Sequence, residues 1–230
     1  MIIGVILAAG SGTRLGLNTP KSLIKINNKE IITYPLNTFL KSNIFNKIYI
    51  ACHPRHIYEY KKIVNKFKNK NSININIELV AGSLKGRQES LKKIVNSIKK
   101  NDSIKPNDLI VTHDGARINI TKQTILDNIN LAKKYGYSST VIKANDSIFS
   151  LDANKYIPRK NVYLIQTPQT FQYKFWKNKP SKDSTDLFSY LGIKLKKENL
   201  SFGSIINYKI TEKDDLIITK QIQKNLLHNL

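Results

Sequence analysis

Residues 6–25 read Ile6-Leu-Ala-Ala-Gly-Ser-Gly-Thr-Arg-Leu-Gly-Leu-Asn-Thr-Pro-Lys-Ser-Leu-Ile-Lys25, a short apolar run followed by a glycine-rich loop with two cations. Glycines let such a loop turn sharply and leave its backbone N–H groups accessible to phosphate oxygens. Arg14 and Lys21 add positive charge for the same oxygens, and Pro20 stiffens the approach to Lys21. The stretch predicts a site for a nucleoside triphosphate.

Two familiar glycine loops do not match this stretch. A Walker-type loop ends in Gly-Lys-Ser/Thr, whereas Gly12 is followed by Thr13 and Arg14. A dinucleotide-binding loop has its third glycine where Leu15 stands and continues directly into a helix, which Pro20 interrupts. A variant dinucleotide loop and a plain glycine turn stay open as alternatives.

The length of 230 residues suits a single α/β domain, so we expect residues 1–230 to form one. The single cysteine, Cys52, excludes an intramolecular disulfide and is typical of a reducing cytoplasm. Residues 1–9 lack a basic leader and are too short to span a bilayer. We therefore expect a buried first strand, a cytoplasmic protein and no membrane partner.

The formal net charge of +22 raises the question of a nucleic-acid partner. Most of the 38 cations are lysines scattered among asparagines, a bias of the whole chain and not a designed stripe. Arginine is the better reader of phosphates and bases, and its five copies fall at 14, 55, 87, 117 and 159. The pattern argues against specific nucleic-acid binding, although a basic nucleic-acid-binding protein is kept as an alternative.

Apolar, β-rich runs alternate with segments whose apolar residues recur every three or four positions. The predicted strands are 2–7, 47–52, 75–80, 108–112, 139–142 and 163–167. The predicted helices are 31–42, 57–68, 87–99, 121–135, 184–191 and 214–227. This alternation predicts an α/β fold with a mostly parallel sheet and helices on both faces. Ligands of such sheets bind beyond the carboxyl ends of the strands.

The segment 143–160 breaks this rhythm. It has short alternating stretches separated by the turn residues Asn145-Asp146 and Asp152-Ala-Asn154. We expect a β-hairpin that projects as an arm from the main body and serves in dimerisation.

Five further clusters carry polar residues that packing does not require. They are Gly86-Arg-Gln-Glu-Ser90, Thr112-His-Asp-Gly-Ala-Arg117, Gln166-Thr-Pro-Gln-Thr170, Ser184-Thr-Asp186 and Asn207-Tyr-Lys-Ile-Thr211. Each cluster alone has a purely structural interpretation: a helix cap at Ser90 or Thr185, an ion pair of Asp114 with Arg117, or a strand-end hydrogen bond at Gln166. Their joint presence and order favour function.

With the opening loop, these clusters resemble the CTP-dependent cytidylyltransferases that act on polyol phosphates, including the methylerythritol 4-phosphate and ribitol 5-phosphate enzymes. The resemblance rests on Leu-Ala-Ala-Gly-x-Gly-x-Arg at 7–14, His-Asp-Gly-Ala-Arg at 113–117 and Gln-Thr-Pro-Gln-x-Phe at 166–171. It extends from residue 6 to residue 216. It implies a Rossmann-like nucleotidyltransferase that joins CTP to a polyol phosphate, giving a CDP-polyol and pyrophosphate with Mg²⁺.

The resemblance also implies roles for individual residues. Catalytic contacts to the phosphates would come from Arg14, Lys21 and Lys209. CTP would contact Ala8, Ala9, Gly10, Gly12, Gly82, Arg87, Ser90 and Ala116, with backbone groups near Gly82 and Ala116 selecting the base. The polyol phosphate would contact Asp114, Arg117, Ser147, Arg159, Thr167 and Thr185.

The family pattern implies no metal site on the protein, because the CTP phosphates carry most of the Mg²⁺ coordination. It also implies that some polyol contacts come from the neighbouring subunit's arm. We therefore expect a homodimer formed through the hairpin at 143–160.

Several positions depart from the family pattern: Ser22, Ile118, Ser147, Phe149 and Leu187. These departures weaken the inference about which polyol phosphate is the substrate and about whether the chain is active. They weaken the inference of a CTP site less. Val111-Thr-His-Asp and Ile157-Pro-Arg look more like the ribitol enzymes, whereas His113-Asp-Gly-Ala-Arg and Arg87-Gln-x-Ser occur readily in the methylerythritol enzymes. Ribitol 5-phosphate is slightly favoured over 2-C-methyl-D-erythritol 4-phosphate. Another polyol phosphate, a sugar-phosphate nucleotidyltransferase that uses a different NTP, and an inactive relative stay open.

Overall fold

A computed structural model of the chain describes residues 1–16, 19–71, 74–176, 184 and 186–228. Its centre is a seven-stranded sheet in the order β11-β7-β10-β6-β1-β4-β5. These strands are β1 (Ile2–Leu7), β4 (Lys47–Cys52), β5 (Asn76–Ala81), β6 (Leu109–Asp114), β7 (Tyr137–Lys143), β10 (Tyr163–Gln172) and β11 (Leu200–Phe202). Two short hairpins lie outside it: β2 (Lys25–Ile26) with β3 (Lys29–Glu30), and β8 (Ile148–Ser150) with β9 (Lys155–Ile157).

Six of the seven strands run in one direction and β10 runs against both of its neighbours, β6 and β7. The sheet is therefore mostly parallel, as the alternating pattern predicts. The helices are α1 (Thr33–Ser42), α2 (Ile57–Asn71), α3 (Arg87–Asn101), α4 (Lys122–Tyr135), α5 (Leu187–Tyr190) and α6 (Lys213–His228). A Rossmann-like α/β arrangement results.

Alternate residues of the central strands enter two separate cores. Ile6 faces the side on which Phe39 of α1 and Ile125 of α4 are buried. Val5 faces the opposite side and packs with Ile94 of α3. Because successive side chains of a strand point to opposite faces, a strand that is buried on both sides needs apolar residues throughout. This accounts for the unbroken apolar run at the start of the chain.

Several predicted boundaries are wrong, and in two elements the physical cause is visible. The strand expected at 163–167 continues to Gln172 as β10, and Pro168 lies inside it at a register shift between Ile165 and Gln169, with a cis peptide bond after Thr167. The helix expected at 184–191 is only α5, because the Asp186 carboxylate accepts from the N–H of Phe188 and starts the helix there. The hairpin at 143–160 is present as the pair β8 and β9.

Candidate active site

The carboxyl ends of β1 and β6 lie side by side, with Leu7 paired to Asp114. A cleft of about 270 Å³ opens at this edge of the sheet. Its walls include many of the residues named from the sequence: Ala8, Ala9, Gly10, Arg14, Lys21, Arg87, Ser90, Asp114, Ala116 and Lys209. Six residues that the predicted set does not contain also line it: Leu7, Ser11, Ser22, Ser83, Leu84 and Gly86.

The glycine loop after β1 is shaped by a positive φ of 77° at Gly12. A Cβ at this position would lie 3.0 Å from the backbone nitrogen of Lys21, so glycine is required on both counts. A short turn at Thr13–Leu15 follows, and Leu15 is buried at 1% exposure, which fixes the turn while Arg14 stays exposed. Among the described residues, the backbone N–H groups of Ala9 and Gly10 have no acceptor. The loop thus presents free donors beside a guanidinium.

Lys21 approaches the same cleft from a second turn, at Lys21–Leu23. Its ammonium donates to the backbone carbonyl of Ile210 at 2.6 Å. Burial, and then the positive charges of Lys209 and Arg14, lower the pKa of Lys21 to about 8. An anion placed between these cations would relieve their mutual repulsion.

The floor beneath the loop is held by hydroxyl groups. The carbonyl of Ala8 accepts from Ser22 Oγ at 3.0 Å and from Tyr60 Oη at 2.9 Å, and the two hydroxyls also contact each other. Ser22, noted as a departure from the family pattern, is buried and joins the loop to α2. Tyr60 is not predicted from the sequence, because it reads as one more apolar helix position.

Asp114 is the acidic centre of the cleft and is itself buried. Its Oδ1 lies 2.9 Å from Arg87 Nε, and its Oδ2 lies 3.0 Å from Lys209 Nζ and 3.7 Å from Arg117 Nε. Burial opposes ionisation of the carboxyl, but the charges of Arg87, Lys209 and Arg117 outweigh it and hold the pKa of Asp114 well below its usual value. The carboxylate binds together cations from three parts of the chain.

Arg87 stands at the start of α3, where the helix dipole favours anions. Beyond Asp114 it donates from Nη2 to Oε1 of Gln169 at 3.2 Å. Its third nitrogen, Nη1, is buried without a hydrogen-bond partner among the described residues. Arg87 lines the cleft, and Asp114 and Gln169 together hold its guanidinium there.

Two of the residues named for the polyol phosphate lie behind Asp114 and not on the cleft wall. Arg117 donates to the carbonyl of Asn207 at 2.9 Å. Thr167 Oγ1 accepts from the Asp114 N–H at 3.1 Å and contacts His113 Nδ1 at 3.0 Å. Burial lowers the pKa of His113 to about 4, so the ring is neutral near pH 7. Arg117 and Thr167 thus hold Asp114 in position from the side away from the cleft.

Gly82 is the second position at which glycine is required, since a Cβ there would lie 2.4 Å from the Cβ of Ala9. Its own N–H donates to the carbonyl of Cys52, and its carbonyl accepts from Lys93 Nζ, both at 2.9 Å. The N–H of Gly82 can therefore bind a base only if its hydrogen bond to the carbonyl of Cys52 breaks. Ser90 Oγ accepts from the N–H of Ser83 at 2.9 Å and shapes this loop.

The structure leaves some named residues apart from the cleft. Ser147 and Arg159 lie exposed at the hairpin, where Arg159 donates to the carbonyl of Asn145 at 2.6 Å. Gly12 shapes the loop without lining the cleft. Thr185 lies outside the described residues.

A larger groove, of about 590 Å³, lies between the β2–β3 hairpin, α1 and α2, but it contains none of the residues named for catalysis. Within the described ranges, no three His, Cys, Asp or Glu side chains are grouped so that they could hold a metal ion. The helices of the described part of the chain are too short or too polar to cross a membrane.

Comparisons with known proteins agree with one another. A family model described as IspD, 2-C-methyl-D-erythritol 4-phosphate cytidylyltransferase, matches residues 2–225. Proteins named 2-C-methyl-D-erythritol 4-phosphate cytidylyltransferase from Thermosipho melanesiensis and Thermotoga neapolitana are 32% and 29% identical to this chain. The first alignment covers 98% of this chain and 100% of the relative, and the second covers 97% of each.

A crystal structure of the Francisella tularensis 2-C-methyl-D-erythritol 4-phosphate cytidylyltransferase (IspD) has the same fold. It superposes with a TM-score of 0.71 at 26% identity, over 96% of this chain and 98% of that one. The expectation of a nucleotidyltransferase is confirmed, whereas the preference for ribitol 5-phosphate finds no support among these matches. The chain belongs to the 2-C-methyl-D-erythritol 4-phosphate cytidylyltransferase family.

Proposed function

We propose that this chain transfers CMP from CTP to 2-C-methyl-D-erythritol 4-phosphate, forming a CDP-polyol and releasing pyrophosphate. The observation that carries the proposal is the convergence of Arg14, Lys21, Arg87 and Lys209 on one cleft at the carboxyl edge of the sheet. Such a group of cations matches a triphosphate and an incoming phosphomonoester better than it matches any neutral ligand.

The triphosphate would lie over the loop after β1. There the free N–H groups of Ala9 and Gly10 and the charges of Arg14 and Lys21 are all within the cleft wall. The cytidine would extend toward Ser83 and Ser90 at the start of α3. Since Gly82 has its N–H engaged, we expect the base to be read by groups next to it.

The chemical step needs little proton transfer. A phosphate oxygen of the acceptor attacks the α-phosphorus in line, the P–O bond to the β-phosphate breaks, and pyrophosphate leaves with the bonding electrons. Negative charge accumulates on the α-phosphoryl group and on the leaving group. Fixed cations lower this barrier, and removal of one such group typically costs about 10²–10³-fold in rate.

The residues of this cleft fit Mg²⁺ only when the ion is coordinated mainly by the phosphates of the nucleotide. Asp114 is the one carboxylate on the described cleft wall, and both of its oxygens already face cations. Mg²⁺ binds readily through phosphate oxygens and water and needs few protein ligands. When bound, it would supply further neutralisation of the phosphate charge.

The acceptor would lie beside Asp114 and Lys209, and its binding site would be completed by Ser147 and Arg159 from the arm of a second subunit. Both arm residues are exposed and do not line the cleft of their own chain, in keeping with this arrangement. Thr167 and Arg117 would act on the acceptor through Asp114, which they support. We propose a homodimer on the same basis, and we propose a cytoplasmic location because the single cysteine, Cys52, is free and buried.

A pyrophosphate-release assay tests the substrate directly. Purified protein with CTP and Mg²⁺ is offered 2-C-methyl-D-erythritol 4-phosphate, ribitol 5-phosphate, glycerol 3-phosphate and arabinitol 5-phosphate in parallel. We expect the methylerythritol compound to give the highest kcat/KM by at least about tenfold, a difference of about 1.4 kcal/mol in transition-state binding. Faster release with ribitol 5-phosphate would overturn the proposed acceptor, and release only with UTP or dTTP and a hexose 1-phosphate would overturn the reaction class.

A further inference from the structure

We propose that Gln169 is a positioning residue that fixes Arg87 for the nucleotide and links it to Asp186 at the start of α5. This inference rests on the proposed function for the identity of the nucleotide. Gln169 does not line the cleft and is 1% exposed, so it can act only through its neighbours.

The side-chain amide of Gln169 connects two charged groups. Its Oε1 accepts from Arg87 Nη2 at 3.2 Å, and its Nε2 donates to Asp186 Oδ2 at 2.6 Å. A second donation, to Ser139 Oγ at 3.3 Å, ties the amide to β7. Both ends of the amide are thus used.

Only one orientation of this amide satisfies both partners. A guanidinium has donors alone, and an ionised carboxylate has acceptors alone. The amide oxygen of Gln169 must therefore face Arg87, and the amide nitrogen must face Asp186. A side chain without one acceptor and one donor would take a hydrogen bond away from one of the two partly buried charged groups.

The orientation of Arg87 depends on this contact. Its Nε is held by Asp114 and its Nη2 by Gln169, and Arg87 lines the cleft. Two fixed points determine the plane of a guanidinium. Loss of one of them would let the guanidinium turn out of the position in which it faces the nucleotide.

The other end of the connection is Asp186, next in sequence to a residue that the resemblance assigns to the polyol phosphate. Asp186 uses Oδ1 to accept from the N–H of Phe188 at 2.8 Å and Oδ2 to accept from Gln169. It directly follows position 185, where a polyol contact is expected. A movement of this helix start on acceptor binding would reach Arg87 through the two hydrogen bonds of Gln169, and the proposal therefore includes a link between the two substrate sites.

A pair of variants that exchanges donor and acceptor roles tests the connection. Gln169→Glu places two carboxylates against each other and should weaken CTP binding, measured by titration calorimetry, by about tenfold or more. Asp186→Asn keeps its capping oxygen but offers an NH₂ to Gln169 and should weaken binding severalfold. In the double variant, the new carboxylate at position 169 accepts both from Arg87 and from the new amide at position 186. Its CTP affinity should return to within about threefold of the wild type.

Gln172→Glu is the matched control, because it makes the same change at the far end of β10, away from Arg87. It should leave CTP affinity unchanged. In the pyrophosphate-release assay, Gln169→Glu should raise the KM for CTP more than it lowers kcat. Thermal melting checks that each variant is folded. If Gln169→Glu does not fold, Asp186→Asn and the double variant still decide the question.

Wild-type affinity in both single variants, or a double variant no better than the worse single variant, would overturn the positioning role. Failure of the proposed function has a different signature: the wild type itself would neither bind CTP nor release pyrophosphate.

Discussion

Lys209 and Asp114, which are far apart in the sequence, form an ion pair in which Lys209 Nζ lies 3.0 Å from Asp114 Oδ2. The same carboxylate holds Arg87 at 2.9 Å and Arg117 at 3.7 Å. Without a negative charge at this point, three cations would face one another in a partly buried space. Asp114 thus makes the concentration of positive charge compatible with a folded chain.

Asp114→Asn should therefore destabilise the protein by about 3 kcal/mol, since it leaves three partly buried cations without their shared counter-ion. Urea unfolding at pH 7 measures the loss, and pyrophosphate should recover part of it by replacing the missing anion. Asp152→Asn, at an exposed hairpin turn, is the control and should change stability by less than about 0.5 kcal/mol.

The stabilising effect of Asp114 should also depend on pH. Its pKa in the folded protein is held below the ordinary value of 3.8, so the contribution is fully present above that value and is lost as the pH falls through the folded-state pKa. The stability difference between wild type and Asp114→Asn should shrink in acid. A difference that stays constant down to about pH 2 would contradict this account of the ion pairs.

CTP affinity should fall as the pH rises above about 8. Lys21 has its pKa lowered to about 8, and only its protonated form attracts the triphosphate. Nucleotide binding favours protonation and raises that pKa, so each pH unit above about 8 should cost up to about tenfold in affinity. Calorimetry from neutral to alkaline pH measures the trend, and Lys21→Arg, which keeps its charge, should show a flat profile. A flat profile for the wild type would refute the assignment.

Arg14→Ala should lower kcat/KM by about 10²–10³-fold and leave the fold intact. The side chain is exposed, and no acidic residue in the described part of the chain pairs with it, so its removal should change the free energy of unfolding by less than about 0.5 kcal/mol. Steady-state release assays and urea unfolding provide the two readouts. Arg55→Ala, also exposed but remote from the cleft, should alter neither.

The hairpin arm should form a dimer contact that completes the neighbour's site. It exposes Leu151 at 86% and Tyr156 at 73%, an unusual amount of apolar surface for a free hairpin. Leu151→Asp with Tyr156→Asp should shift the protein to monomers in light scattering and remove activity. A double variant that stays dimeric and active would exclude the arm as the interface.

Subunit mixing tests whether Arg159 acts across that contact. Arg14→Ala and Arg159→Ala should each be inactive alone, but a heterodimer has one site with both residues intact. Equal mixing should therefore restore about a quarter of wild-type activity, because half of the dimers are mixed and each has one working site. No recovery after verified exchange of subunits would place Arg159 in its own chain's site or outside catalysis.

Much of the fold follows from residue patterns alone. The strands at 2–7 and 47–52 are predicted to the residue, because their largely apolar runs are buried on both faces of the sheet. The extent of β10 does not follow, since Pro168 reads as a strand end while tertiary contacts carry the strand past it. The hairpin is recognisable from its turn residues.

The site is only partly readable from sequence. The glycines and cations of the first loop indicate phosphate binding. As expected, Arg14, Lys21, Arg87 and Lys209 all line the cleft. The roles of Ser22, Tyr60 and Gln169 could not be assigned in this way, because they depend on which buried polar groups these residues join across distant segments. Spacing along one chain does not contain that information.

The position of CTP in a crystal of this protein tests the central claim most directly. We predict that the triphosphate lies over the loop at 8–16, with phosphate oxygens within hydrogen-bond distance of Arg14 and Lys21, and with the cytidine toward Ser90. Density for CTP at any other place, such as the lysine-lined groove between α1 and α2, would contradict the account.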